Sequence, residues 1–233
     1  MSYFLGLDLG QAADYSGIAI LEKLWPDGRP EAEPFAILKV SENTSPRPRR
    51  APGPAPAAAC VPSFHCRYLE RLPLGTPYPA VVRHVAGLLE RPELRGCTQL
   101  VVDATGVGRP VVDLLTQERL SPVPVTITGG DQVSYERGWR VPKRDLVGAV
   151  SVLLQTERLK FADAIPAVPT LVQELMAFRV KIDPLTAHDS YGAWREGSHD
   201  DLVLAVAVAA WWGLRWTGPD PARQPSSRSY ASL

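Results

Sequence analysis

The sequence predicts an α/β fold with a mixed sheet, in which antiparallel hairpin strands precede parallel strand–helix–strand units. Two apolar runs open the chain at residues 3–9 and 16–23, separated by a short turn. That spacing is typical of a hairpin. Apolar runs at residues 99–103 and 123–128 then flank a helical pattern at 110–118. This order favours parallel strands joined by right-handed crossovers, so we expect a mixed sheet flanked by helices.

The remaining elements follow from the spacing of apolar residues. Recurrence every three to four residues predicts helices, with Pro79 and Pro142 suited to the first turn of two of them. The predicted helices cover residues 78–90, 142–157, 170–178 and 199–216. Extended patterns predict strands at residues 35–40 and 64–72, and a second hairpin from residues 178–182 and 190–194.

Length and composition suit one domain with an insert. A chain of 233 residues with 45% hydrophobic residues can bury a sizeable core. We expect a single domain over residues 1–217. Residues 41–60 are rich in Pro, Ala and Arg, which predicts a flexible insert. Residues 218–233 are predicted to be a disordered tail.

Charge and cysteine content exclude some classes of protein. The formal net charge is zero, which excludes a wholly basic nucleic-acid binder but allows a local basic groove. Three cysteines without a standard metal spacing favour reduced thiols. The sequence shows no signal peptide and no apolar stretch of about 18 residues, so we expect a cytoplasmic protein without a membrane span.

Acidic residues follow two predicted strands and open the last predicted helix. They are Asp8, Asp103, Asp200 and Asp201. Taken singly, each has an ordinary explanation as a turn residue or a helix-start residue, and Asp201 could complete a capping box with Ser198. Taken together, they are carboxylates far apart in sequence that could converge on one divalent cation. Buried carboxylates need such compensation.

This pattern points to phosphodiester hydrolysis assisted by two Mg²⁺ or Mn²⁺ ions. Hard cations prefer oxygen ligands, which favours Asp over His or Cys. We expect Asp8 to bridge both ions and Asp103 to complete one site. The last helix supplies Asp200 or Asp201 to the other site, because adjacent helical residues point about 100° apart.

The densest basic segment is a candidate DNA contact. Its cations are Arg137, Arg140, Lys143 and Arg144. They could contact backbone phosphates, with Tyr135 and Trp139 as stacking partners. An ordinary solvated flank of a helix explains the segment equally well.

The chain resembles the nuclease domain of the large terminase subunit of tailed phages. The resemblance rests on GLDLGQAADYSGIAIL, LVVDATGVGRPVVDLL and HDDLVLAVAVAA, and it extends from residue 3 to about residue 216. It implies a ribonuclease-H-like fold, dependence on Mg²⁺ or Mn²⁺, and endonuclease cutting of concatemeric double-stranded DNA during packaging. The acidic residues named above match the acidic positions of that family.

The resemblance also implies partners and a location. Double-stranded DNA is the implied substrate, and a separate packaging ATPase, a small terminase subunit or a portal are the implied protein partners. The implied location is the cytoplasm of a bacterial host cell. No G-x-x-x-x-G-K-[ST] motif occurs in the sequence, so motor activity is not expected from it.

Three alternatives stay open from the sequence. Holliday-junction resolvases share the fold class and a similar acidic last helix, so branched DNA is a second possible substrate. A non-catalytic DNA-binding or assembly subunit is another, and a nuclease assay with metal titration distinguishes it from an enzyme. Sugar-kinase and actin-like ATPases have a similar first hairpin, but they need two duplicated domains, for which 233 residues are too few.

Overall fold

A mixed sheet with helices on both faces forms the core of the computed structural model, which describes residues 2–10, 14–26, 61–106, 108–180 and 199–216. The strands β1 to β8 span Ser2–Asp8, Gly17–Leu24, Ser63–Arg71, Thr98–Asp103, Pro122–Thr128, Ser134–Tyr135, Trp139–Pro142 and Leu159–Phe161. The helices α1 to α5 span Tyr78–Leu89, Gly108–Gln117, Lys143–Gln155, Val168–Val180 and Asp201–Arg215.

The strand order confirms the predicted ribonuclease-H-like arrangement. Within the described part, one eight-stranded sheet has the order β6-β7-β5-β4-β1-β2-β3-β8. Strands β1, β2 and β3 pair antiparallel, whereas β1, β4, β5 and β7 pair parallel. Strand β1 therefore lies at the centre, where its C-terminal end meets that of β4 on one side and the start of β2 on the other.

The two sheet faces carry separate apolar clusters, because successive side chains of a strand point to opposite faces. On one face, Leu5, Leu7 and Val102 pack with α1 and α2. On the other face, Phe4 and Val101 pack with α3, α4 and α5. The result is three layers, with the sheet between the two groups of helices.

Helix α5 packs directly against the backbone of the central strands. Every residue from Asp201 to Trp211 is buried. A Cβ added to Gly6 of β1 would collide with the carbonyl of Ala205, and a Cβ added to Gly17 of β2 would collide with the carbonyl of Asp201. Glycine is therefore required at both strand positions for α5 to approach this closely.

The structure differs from the sequence prediction at three short strands and one segment. Strands β6, β7 and β8 have two to four residues each, too short for a periodic pattern to predict them. Residues 178–180 continue α4, where the sequence predicts a strand, because extending an existing helix adds a hydrogen bond for each residue fixed. The rest of that predicted hairpin, the strand at 35–40, the insert and the tail lie outside the described residues.

No helix in the described part of the chain is long and apolar enough to cross a bilayer.

Candidate active site

Asp8 and Asp103 lie side by side at the C-terminal ends of two adjacent strands. Strand β1 ends at Asp8 and its parallel partner β4 ends at Asp103. Leu7 and Val102, which precede them, point toward α1 and α2. Both carboxyl groups therefore point to the α5 face, where Asp8 is 8% exposed and Asp103 is 5% exposed. The two side chains hydrogen-bond to each other.

Burial and like charge together act on the protonation of Asp8. Burial raises the pKa of Asp8 well above its usual range, and the negative charges of Asp103, Asp201 and Asp200 raise it further. Burial also raises the pKa of Asp103, but hydrogen bonds from Thr105, including its backbone N–H at 2.7 Å from Oδ1, lower it. The pKa of Asp8 is therefore raised more strongly than that of Asp103.

The start of α5 brings Asp201 to the same place. Asp201 is 4% exposed. Burial raises its pKa to about 6, Arg71 lowers that pKa and Asp200 raises it. The Arg71 Nη2 lies 3.5 Å from Asp201 Oδ2, and this buried oxygen accepts no hydrogen bond from the described residues. A buried carboxylate oxygen that accepts no hydrogen bond suits a cation.

Lys143 supplies a positive charge to the carboxylates from the first residue of α3. Its Nζ lies 3.6 Å from Asp200 Oδ2, and its side chain is 14% exposed. Burial lowers the pKa of Lys143, whereas the charges of Asp200, Asp103 and Asp8 raise it. The sequence predicts Lys143 as a DNA contact, and the structure places it beside Asp200, near Asp103 and Asp8.

An ion pair between a partly buried arginine and a buried glutamate, which no sequence pattern predicted, lies behind the start of α5. Arg71 ends β3 and forms an ion pair with Glu174 of α4. Burial raises the pKa of Glu174 to about 7, whereas backbone N–H donors of α5 and the charge of Arg71 lower it. One signal was available in the sequence. Glu174 lies between Leu171 and Leu175, and such a position at helical spacing faces a core.

The donor chemistry of the cluster fits a hard divalent cation. Its acidic members are Asp8, Asp103, Asp200 and Asp201, all oxygen donors. Across the described residues, however, no three His, Cys, Asp or Glu side chains converge closely enough to hold one ion. Their charges are compensated within the chain by the Asp8–Asp103 hydrogen bond and by Arg71 and Lys143.

The basic segment does not form one surface. Arg144 pairs with Asp131 at 2.6 Å. Trp139 and Val141 pack on the α5 face, so Arg140 between them points to the opposite face, away from Asp8.

A cleft on that opposite face contains both remaining arginines. It has a volume of about 530 Å³. It is lined by Ala104, Val112, Asp113, Pro124, Thr126, Glu136, Arg137, Gly138 and Arg140. Ala104 directly follows Asp103, so the cleft begins next to the end of β4 that carries the aspartate.

The predicted stacking residues have other neighbours. The rings of Tyr135 and Trp139 contact each other with centroids 5.1 Å apart. Trp139 also packs on Trp211 and Trp212 of α5, each at 5.8 Å. Only Tyr135 is left largely exposed.

Comparison with known proteins gives a match in fold. No family model and no curated protein sequence matches the chain. The large terminase nuclease from thermophilic phage G20c is similar in structure, with a TM-score of 0.50 and 17% identity, over 89% of this chain and 80% of that one. The zinc-bound structure of the same nuclease has a TM-score of 0.48 and 18% identity, over 89% of this chain and 79% of that one. The manganese-soaked terminase nuclease domain of human cytomegalovirus has a TM-score of 0.47 and 11% identity, over 89% of this chain and 81% of that one. The first of these likenesses shows that the chain has the ribonuclease-H-like fold of a terminase nuclease.

Proposed function

We propose that this protein is a metal-dependent endonuclease that hydrolyses phosphodiester bonds of double-stranded DNA. One observation carries the proposal: aspartates from two other, distant segments of the chain lie close enough to Asp8, at the C-terminal end of β1, for their charges to raise its pKa. The fold, which is shared with a phage terminase nuclease, supports the same activity. Site and fold are independent observations, since a fold by itself does not determine function.

We assign Asp8, Asp103, Asp200 and Asp201 as the residues that hold Mg²⁺ or Mn²⁺. Two such ions would activate the attacking water and stabilise the leaving oxygen. Carboxylates bind cations in the deprotonated form, so a metal ion would compete with protons for Asp8, whose pKa is raised. Asp103 is already oriented by its hydrogen bond from the Thr105 N–H.

The cations around the site have different proposed roles. Lys143 pairs with Asp200, and we propose that it competes with a metal ion for this carboxylate. We propose that Arg137 and Arg140 contact DNA phosphates from the cleft next to Ala104. Arg144 is held by Asp131, and we keep it as a weaker candidate for the same DNA contact.

Genome packaging is the proposed setting, by analogy with the terminase nucleases that share the fold. A separate packaging ATPase, a small terminase subunit or a portal are the corresponding partners. The shared fold is the argument for genome packaging only. The proposed nuclease activity depends on the aspartates.

The proposal is tested with purified protein and supercoiled plasmid DNA. We expect nicking or cutting with Mn²⁺ or Mg²⁺, and none with EDTA. Asp8→Asn should reduce cutting to the metal-free background while the protein stays folded, because it removes a ligand charge with little change in volume. Asp163→Asn, at an exposed position far along the chain, is the matched control and should cut like the wild type.

Two outcomes would count against the proposal. Equal cutting by Asp8→Asn and wild type would mean that the activity has another origin. Tight DNA binding without any cutting, at every metal concentration, would instead indicate a non-catalytic DNA-binding subunit. A parallel assay with four-way junctions shows whether branched DNA is preferred over linear duplex.

A further inference from the structure

The start of α5 is capped by a residue from a different helix. The first backbone N–H groups of a helix need acceptors, which a side chain at the preceding position usually supplies. Asp200 occupies that position and makes no capping hydrogen bond with its side chain. Glu174 of α4 replaces it, because its Oε2 accepts the N–H of Leu202 at 3.0 Å and of Val203 at 3.1 Å.

Glu174 is itself held in place by Arg71. The guanidinium donates to Glu174 Oε1, leaving Oε2 for the two amides of α5. The same Nη2 lies 3.5 Å from Asp201 Oδ2. Arg71 also lies over the ring of Tyr15, with its Cζ 4.8 Å from the ring centroid. The guanidinium is thus fixed from three directions, and it links the cap to one of the aspartates of the site.

This arrangement leaves both aspartates of α5 available to the site. A capping aspartate turns its carboxylate back onto its own helix. Asp200 instead extends toward Lys143, and Asp201 toward Arg71 and Asp8. The buried position of Glu174 leaves little room for the start of α5 to rotate.

We propose that Glu174 is a positioning residue for the proposed metal site: from α4 it caps α5, which carries Asp200 and Asp201, and through Arg71 it fixes the orientation of Asp201. The inference rests on the proposed function of those aspartates. Glu174 does not contact the reacting atoms and acts through the backbone of Leu202 and Val203.

The experiment compares Glu174→Ala and Glu174→Gln with the wild type. Mn²⁺ binding is measured by calorimetry, and plasmid cutting is measured as a function of Mn²⁺ concentration. Loss of a group that orients metal ligands typically weakens metal binding about 10- to 100-fold, which is the effect expected for Glu174→Ala. Cutting should need correspondingly more Mn²⁺, with a smaller loss of rate at saturating metal.

The glutamine variant separates orientation from general stability. Gln keeps one oxygen acceptor for the α5 amides but cannot form the ion pair with Arg71. We therefore expect Glu174→Gln to recover part of the Mn²⁺ affinity that Glu174→Ala loses. Gln173→Ala changes the neighbouring, exposed position of α4 and should bind Mn²⁺ like the wild type.

Unchanged Mn²⁺ affinity in folded Glu174→Ala and Glu174→Gln would overturn the proposal. Amide hydrogen exchange in the wild type is a second test of the cap, and it needs no variant. Slow exchange at Leu202 and Val203 is expected from the cap, and fast exchange at both would overturn it even where a variant fails to fold. A wild-type protein that neither binds Mn²⁺ nor cuts DNA refutes the proposed function instead, while the exchange measurement still decides whether Glu174 caps α5.

Discussion

Gly17 lies against the backbone of Asp201, so closely that a Cβ on Gly17 would overlap the Asp201 carbonyl. Gly17 is also the antiparallel partner of Asp8 in the sheet. One glycine without a side chain therefore brings the first turn of α5 to the end of β1, and with it the Asp201 carboxyl to the Asp8 carboxyl.

Gly17→Ala is expected to separate the aspartates by pushing the start of α5 away from β2. Inserting a methyl group at such a tightly packed position costs about 1–3 kcal/mol of stability. Mn²⁺ binding and plasmid cutting should fall more than this destabilisation explains, because both depend on where Asp201 lies. Thermal unfolding, Mn²⁺ calorimetry and the nicking assay measure the three effects.

Gly148→Ala is the matched control for that substitution. Gly148 lies in α3, and an added Cβ there has no heavy atom within 4 Å. Alanine in a helix interior is favoured over glycine by about 0.5–1 kcal/mol, so the control should be as stable as the wild type or more so. If Gly17→Ala binds Mn²⁺ and cuts DNA like this control, the close approach of α5 does not set the site.

The positions of Asp8 and Asp103 follow from simple rules. Each ends a buried apolar run, and the C-terminal ends of neighbouring parallel strands lie at the same end of a sheet. The apolar run after Asp201 likewise predicts a buried helix. These features depend on local patterns and on one pairing rule, which is why they are readable in the sequence.

The surroundings of the aspartates depend on tertiary interactions that no local pattern encodes. Arg71 and Glu174 pair across 103 residues of chain. Arg140 and Lys143 lie in one basic segment of the sequence, yet the structure separates them, because strand β7 ends and helix α3 begins between them. A count of charges in a segment cannot show which sheet face each one occupies.

Stability in the absence of metal is expected to fall as the pH rises through the raised pKa of Asp201. This pKa is about 6 in the folded protein, against an ordinary value of 3.8. The folded state therefore holds its proton more tightly than the unfolded state does, and stability falls with rising pH. The contribution is complete only well below the ordinary pKa of 3.8, and about 3 kcal/mol in total is lost once the pH is well above 6.

Asp201→Asn isolates this effect, because the amide does not titrate. Denaturant unfolding in EDTA, from pH 4 to pH 7.5, gives the free energy of unfolding of both proteins. The free energy of unfolding of the wild type minus that of the variant should fall with rising pH and level off above pH 6. With Mn²⁺ the wild type should instead gain stability with rising pH, since metal binding displaces protons. A difference independent of pH in EDTA would show that folding does not raise the pKa of Asp201.

DNA binding should depend on the arginines of the cleft, whereas metal binding should not. Replacing both Arg137 and Arg140 with Ala should weaken binding to duplex DNA and reduce the slope of log K against log salt by about 0.9 for each phosphate that the variant no longer neutralises. Mn²⁺ affinity should stay unchanged, because Arg140 points to the sheet face opposite Asp8. Fluorescence anisotropy over a salt series measures the DNA affinity and its salt slope, and calorimetry measures the Mn²⁺ affinity. Arg83→Ala, on the exposed side of α1, is the control.

Lys143→Met should show the opposite pattern, although Lys143 is only three residues from Arg140. Its ammonium group pairs with Asp200 and is largely buried, so it is poorly placed to release counterions from DNA. The salt slope should therefore change little. Mn²⁺ should bind several-fold more tightly, because the ammonium no longer competes for Asp200. If Lys143→Met lowers the salt slope as the arginine substitutions do, then Lys143 contacts phosphate, and its ion pair with Asp200 opens when DNA binds.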